Sequence, residues 1–300
     1  MKKGISKEIL GVRVDFGLST TGVWDIIEND LLKDGKSHYI CTTNPEFVME
    51  AQKNEEFRSI INSADLSVPD GTGVLFANYY LENVKKFKND KFFPLKAFLY
   101  GSWMGVSSLF KGNEMGAKVT GVELTYKMCE ESDKKGYSIF FLGGWPKDWR
   151  GSMSMKKSSL DIATRAAEEM RRKYPNVNII GSTSQFSSKA EDDEVTLSYV
   201  RKCMDNHNIE SLDFLVVAYG HPNQENWIVR NADKIPAKVS MGVGSVLDYV
   251  AGEKKLAPHS MIRKNLEWLF KLITQPWRYK RIFMVFPSFP LKIYIHSINR

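Results

Sequence analysis

The sequence predicts an α/β protein with a mostly parallel sheet and helices on both faces. Three observations predict it. Short β-rich apolar runs alternate with longer helix-period stretches along most of the 300 residues. The run Leu212-Asp213-Phe214-Leu215-Val216-Val217-Ala218 is the most apolar, as a central strand covered on both faces should be. Two loops, Val68-Pro69-Asp70-Gly71-Thr72-Gly73 and Gly220-His221-Pro222-Asn223-Gln224-Glu225, each follow an apolar run and lead into a helix-like stretch. Ligands of open α/β sheets bind beyond the carboxyl ends of the strands, so both loops would face one crevice.

The elements follow in order. His38 to Thr43 reads as a strand, and Pro45 then opens a helix to about Asn62. Ala64 to Val68 is a second short strand, followed by a helix starting near Gly73. Tyr137 to Leu142 is a strand that ends on Gly143-Gly144; a helix from Ser159 to Tyr174 leads to a strand at Val177 to Ile180. The acidic run Glu191 to Glu194 reads as a solvated helix start, where the dipole favours negative charge. Lys238 to Met241 is the last strand and ends at Gly242-Val243-Gly244.

Residues 84 to 117 break this rhythm with an apolar patch, Phe92 to Tyr100 and Trp103 to Phe110, inside a Lys- and Gly-containing stretch. A membrane span needs roughly 20 consecutive apolar residues. Pro94, Lys96, glycines and serines interrupt the run, which rules out a transmembrane helix. Three readings stay open: a lid, an element dipping into a membrane interface, and a helical hairpin packed on the core.

Hydrophobic residues make up 43% and charged residues 26%, which fits a soluble globular chain and excludes a disordered or fibrous one. Cys41, Cys129 and Cys203 are odd in number and lack metal-ligand spacing, so they read as reduced thiols in the cytoplasm. The N-terminus carries charges but no following apolar segment, so secretion is not expected. Net charge is +7, and its location matters more than its size. From Arg263 onward, eight basic residues face only Glu267; the preceding 262 residues hold 34 basic and 34 acidic ones. That tail also carries Trp268, Trp277, Tyr279, Phe283, Phe286, Phe289 and Tyr294. Basic residues interleaved with rings suit an anionic bilayer surface. Nucleic acid also attracts such cations, but the aliphatic weight of the tail favours lipid. The expected organisation is an α/β domain over 1–258, with an insertion at 84–117, and a basic amphipathic appendage over 259–300, whose exposed apolar residues would favour self-association.

Asp70 follows Pro69 at a strand end, with Gly71 and Gly73 allowing a tight turn. A carboxylate placed there can take a proton from a substrate hydroxyl. Local sequence alone favours the helix N-cap over that role. Thr42 and Asn44 can hydrogen-bond a sugar or phosphate, or cap the helix that Pro45 begins. Gly143-Gly144 and Gly242-Val243-Gly244 resemble phosphate-approach turns without the full dinucleotide spacing. No DxD-type pair at a strand end, P-loop, GxSxG or HExxH occurs. A metal-independent mechanism is therefore preferred, with side-chain cations offsetting the charge of a diphosphate leaving group.

Several ordered motifs carry a resemblance: Thr42-Thr43-Asn44-Pro45-Glu46, Ala64-Asp65-Leu66 with Pro69-Asp70-Gly71, and Val119-Thr120-Gly121-Val122-Glu123-Leu124. Further along come Phe141-Leu142-Gly143-Gly144, Gly220-His221-Pro222-Asn223-Gln224-Glu225, Gly242-Val243-Gly244 with Asp248, and Leu266-Glu267-Trp268-Leu269. In this order, from about Gly11 to Arg281, the chain resembles the WecG/TagA/CpsF family of bacterial glycosyltransferases.

The resemblance implies a Rossmann-like domain that moves N-acetylmannosamine, or a related N-acetylhexosamine, from a UDP-sugar donor. The acceptor is a sugar on a polyprenyl diphosphate, and the product serves a surface polysaccharide or teichoic acid. Transfer occurs with inversion and without metal or other cofactor, by a peripheral enzyme on the inner face of the plasma membrane. By motif, Asp70 is the general base, Thr42 holds the reacting sugars, and Gln224 contacts donor or acceptor. Asn44, Gly143, Gly144 and Gly220 fall to the donor, and Asp248 to its ribose hydroxyls. Lys118, Lys271, Arg278 and Arg281 fall to the acceptor diphosphate. Lys118 and Lys271 stand where arginine is usual, which keeps the charge and loses the bidentate fork. The competing function is a non-catalytic UDP-sugar sensor using the same crevice.

Overall fold

The computed structural model describes residues 4–111, 115–144 and 160–299. The Trp/Met/Lys-rich stretch 145–158, which exceeds the usual family length, lies outside them. The chain opens with an antiparallel hairpin, β1 (Ile5–Ile9) and β2 (Val12–Phe16), which the sequence does not announce. Two polar contacts of the buried Ser67 fix the hairpin to the main sheet. The Ser67 amide donates to Asp15 Oδ2 at 2.8 Å, and Ser67 Oγ donates to the Arg13 carbonyl at 2.7 Å.

The main sheet has six parallel strands: β3 (His38–Thr43), β4 (Leu66–Pro69), β5 (Ile139–Gly143), β6 (Ile179–Thr183), β7 (Leu212–Ala218) and β8 (Ala237–Gly242). Their order is β4-β3-β8-β7-β5-β6, which places the apolar β7 in the interior as expected. Period-two alternation sorts the side chains. Phe141, Phe214, Val216 and Met241 join one buried cluster. Phe140, Leu142, Leu215 and Val217 join another on the opposite face.

The first face is covered by α1 (Thr20–Ile26), α6 (Gly121–Lys135), α7 (Ile162–Lys173) and α10 (Val246–Val250). The second is covered by α8 (Asp193–Asn206) and α9 (Asn223–Asn231), with α3 (Glu55–Ser63) beside α9. Helices after β5 and β7 thus leave toward opposite faces. A switch point lies between those strands, flanked by Gly143-Gly144 and Gly220. The single helix expected from Pro45 to Asn62 is two, α2 (Pro45–Glu50) and α3. Asn54 causes the break: its side chain accepts from the Phe57 amide and restarts the helix.

Residues 84–117 form mainly one helix, α5 (Phe93–Lys111), packed on α4 (Thr72–Val84). The C-terminal segment comprises α11 (His259–Arg263), α12 (Glu267–Thr274), α13 (Tyr279–Phe283) and α14 (Phe289–Ile298). Not all of it is an appendage. Phe289 and Ile293 of α14 are fully buried in the cluster that includes the hairpin, α2, α3 and α4. Among the described residues, no helix is long and apolar enough to cross a membrane.

Candidate active site

The loop after β4 is held by two backbone bonds. The Asp70 amide donates to the Thr43 carbonyl at 2.8 Å, and the Val119 amide donates to the Pro69 carbonyl at 3.0 Å. Gly71 then turns the chain with φ 107°, in a region closed to most side chains. Gly73 is required by close approach, because a Cβ there would stand 2.5 Å from Pro45 Cγ. The cap position of α4 is Gly71, with no side-chain cap bond, and Asp70 lies one residue earlier. The N-cap reading of Asp70 is therefore wrong, and its carboxylate accepts no hydrogen bond among the described residues.

Asp70 as a residue is half-buried at the carboxyl edge of the sheet. Burial of its surroundings pushes its pKa up to about 7; Lys271 opposes this, Glu267 adds to it, Lys118 opposes it and Glu123 adds to it. Burial prevails because the charges come in opposed pairs. An acid tuned to that range is a poised proton acceptor.

The C-terminal segment runs over this edge. Lys118 Nζ donates to Glu267 Oε1 at 2.9 Å. Thr72 Oγ1 donates to Asn265 Oδ1 at 2.9 Å, and Asn265 Nδ2 donates to the Ser108 carbonyl at 2.9 Å. Arg281 Nε donates to Glu46 Oε2 at 2.9 Å, and the His221 Nε2 stands 3.6 Å from the same oxygen. His221 also lies against the Phe47 ring, centroids 5.1 Å apart. Three of the cations expected at a diphosphate thus border the crevice, two of them already paired with carboxylates. The Arg278 side chain lies outside the described residues.

The glycine loops are shaped by contact. Gly143 and Gly144 have φ of 89° and 94°, and a Cβ on Gly143 would stand 2.8 Å from the Tyr219 ring. The Gly144 amide donates to the Ala218 carbonyl at 3.0 Å, which ties the loops at the switch point together. Gly220 turns with φ 77° and has open space where a Cβ would be.

Gln224 departs from expectation. It is only 1% exposed, so it does not line the crevice. Its Oε1 accepts from the Gly220 amide at 3.0 Å and the Gly244 amide at 2.8 Å, and its Nε2 donates to Glu225 Oε1 at 2.6 Å. It braces two loops from beneath. Glu225, to which sequence reasoning gave no role, completes the brace; burial pushes its pKa up to about 7. A Cβ on Gly242 would meet Glu225 Oε1 at 2.6 Å and Gln224 Nε2 at 2.7 Å, so a side chain there would have to displace this hydrogen-bonded pair. The signal for Glu225 was its place three residues before the buried Ile228, on the same face of α9.

Two further expectations change. Asp248 is 3% exposed and forms a buried ion pair with Lys254 at 2.9 Å, rather than an open carboxylate for ribose hydroxyls. Lys254 also donates to Ser245 Oγ at 2.9 Å. Thr42 is 4% exposed, and its hydroxyl donates to the Gly242 carbonyl at 3.2 Å, joining β3 to β8 below the crevice. Asn44 caps α2: its Oδ1 accepts from the amides of Glu46 at 2.9 Å and Phe47 at 3.2 Å. Its Nδ2 has no partner among the described residues and is the part available to a ligand.

Residues 7–90 and 99–300 match the model of the glycosyl transferase WecG/TagA/CpsF family. A relative from Bacillus spizizenii (strain ATCC 23059 / NRRL B-14472 / W23) is 26% identical over 90% of this chain and 84% of its own length. One from Bacillus subtilis (strain 168) is 24% identical over 93% and 88%, and one from Staphylococcus aureus (strain MRSA252) is 24% identical over 95% and 91%. All three are named N-acetylglucosaminyldiphosphoundecaprenol N-acetyl-beta-D-mannosaminyltransferase. With the match spanning nearly the whole chain and an unpaired acid at the carboxyl edge of its sheet, the chain belongs to the WecG/TagA/CpsF family of glycosyltransferases.

Proposed function

We propose that this glycosyltransferase moves an N-acetylhexosamine of the N-acetylmannosamine type from a UDP-sugar to N-acetylglucosamine on a polyprenyl diphosphate. The names of its relatives support both sugar and acceptor. One observation carries the mechanism: the Asp70 carboxyl, raised to about 7, stands within the electrostatic reach of Lys271 and Lys118. Asp70 takes the proton of the acceptor hydroxyl as that oxygen bonds to the anomeric carbon. The bond from that carbon to the UDP oxygen breaks from the opposite side, which inverts the centre and gives a disaccharide lipid, UDP and a protonated Asp70.

Developing charge on the departing diphosphate needs preorganised donors. The glycine-loop amides supply them in this reading, so no metal is required. Lys118 and Arg281 are held by Glu267 and Glu46 until the acceptor diphosphate replaces those carboxylates. The reaction belongs to the inner face of the plasma membrane, where the exposed Ile273, Trp277 and Phe283 of the C-terminal segment meet lipid. The product feeds a surface polysaccharide or teichoic acid.

A screen of UDP-sugars with a short-chain prenyl-diphosphate-N-acetylglucosamine in excess chelator, reading free UDP, tests this. Release of UDP with UDP-N-acetylmannosamine or a close relative is the expected result. Donor binding without acceptor-dependent UDP release would instead identify a sensor.

A further inference from the structure

The match to the family is interrupted at residues 91–98, where this chain carries Lys91-Phe92-Phe93-Pro94-Leu95-Lys96-Ala97-Phe98. These residues lead into α5, and that helix is apolar on its outer as well as its inner face. Its inner face is set by Ala97 and Met104, fully or nearly buried, and by Gly101, where a Cβ would stand 3.0 Å from the Tyr80 ring. Tyr80 Oη lies 3.3 Å from the Ala97 carbonyl and 3.1 Å from Ser297 Oγ, locking α4, α5 and α14 together. The outer face carries Leu95, Leu99, Trp103 and Val106 at 57%, 56%, 67% and 54% exposure, spaced three and four residues apart. Phe92 and Phe98 extend it, at 58% and 53%. An unpartnered apolar stripe of that size marks an interaction surface.

Three observations select the occupant. Between residues 84 and 111 there are six lysines (Lys85, Lys86, Lys88, Lys91, Lys96, Lys111) against Asp90 alone. Cations flanking a ring-bearing apolar helix complement anionic headgroups above acyl chains. The stripe is continuous with the C-terminal segment: Phe98 and Tyr294 meet edge to face at 5.8 Å, and Leu291 and Ile295 of α14 are exposed beside them. The third observation is placement. The 19-residue helix is about 28 Å long. Near its C-terminal end the Ser108 carbonyl accepts from Asn265, whose side chain in turn accepts from Thr72, two residues beyond Asp70.

We propose that α5 lies in the plane of an anionic bilayer with its Leu95–Leu99–Trp103–Val106 face among the acyl chains, and so brings the mouth of the Asp70 crevice to the headgroup level. A lipid-borne diphosphate then enters at Lys118 and Lys271 without leaving the membrane. The chemistry stays with the crevice; α5 delivers the surface on which its lipid substrate is found. This rests on the acceptor class proposed above.

The test is flotation of the full chain with vesicles of phosphatidylglycerol and phosphatidylcholine, beside UDP release on a soluble short-chain acceptor and on undecaprenyl-diphosphate-N-acetylglucosamine in those vesicles. L99E/W103E should lower vesicle partitioning by about tenfold or more. It should lose turnover on the vesicle-borne acceptor in proportion while keeping turnover on the soluble one. V195E, an exposed apolar position on α8, adds a negative charge elsewhere on the surface and should leave partitioning unchanged. Unaltered partitioning of L99E/W103E overturns the proposal, as does equal loss in V195E. So does a wild-type dimer in light scattering that L99E/W103E dissociates without any change in vesicle binding, because the stripe would then seat a second copy. Failure of turnover on the soluble acceptor with intact vesicle binding would count against the reaction instead, and leaves the two claims separable.

Discussion

Lys118 donates to Glu267 at 2.9 Å, joining residues 149 positions apart across the carboxyl edge of the sheet. Glu267 also raises the pKa of Asp70, whereas Lys118 and Lys271 lower it. One ion pair thus links the C-terminal segment to both the diphosphate cations and the proposed base.

That link predicts opposed shifts in the pH profile. Ionised Asp70 is the active form, so kcat/KM should rise through about pH 7 and fall about tenfold per unit below it. Glu267→Gln should move the acid limb to lower pH, and Lys271→Ala to higher pH. Initial rates between pH 5 and 9 on a soluble acceptor check both; shifts of the same sign would contradict the account.

Stability carries the reverse signature. A carboxyl raised from its ordinary 3.8 to about 7 holds a proton in the folded state that the unfolded chain has lost. Folding stability from this group is therefore greatest below about pH 4 and declines as pH rises to about 7. Asp70→Asn should remove that decline, so its Tm should exceed wild type by more at pH 8 than at pH 5. Glu225 contributes a decline of the same sign, from 4.5 to about 7, and Asp70→Asn leaves that part in place.

Gln224→Ala should act through structure. It strips the Gly220 and Gly244 amides of their buried acceptor, at a cost of about 1–3 kcal/mol for each group left unsatisfied. Lower Tm together with weaker UDP binding is expected in thermal melts and calorimetry. Wild-type stability with lost turnover would instead place Gln224 in contact with substrate.

Gly143→Ala tests the switch-point loop. The methyl group would stand 2.8 Å from the Tyr219 ring at φ 89°, so a loss of about 1–3 kcal/mol in stability is expected by denaturant titration.

The parallel sheet and the Asp70 loop were legible because apolar runs ending in Pro-Asp-Gly or Gly-Gly announce strand ends locally. Gln224 and Asp248 were not. Each is a polar residue that reads as exposed, and each is buried by a partner the sequence places elsewhere: the Gly244 loop for one, Lys254 for the other. The hairpin β1–β2 escaped notice because its strands are five residues each and mix charged with apolar positions. The basic C-terminal charge was visible, but the burial of Phe289 and Ile293 was not. Deleting everything after Met261 would therefore strip core side chains as well as the lipid-facing segment, so substitutions at Trp277 and Phe283 test docking more cleanly.

The role proposed for Asp70 is removal of the acceptor proton. Asp70→Asn, assayed for UDP release with UDP-N-acetylmannosamine and a soluble acceptor, should lose about 10²–10⁴ in turnover while binding UDP as tightly as wild type. Turnover at the wild-type rate would contradict it.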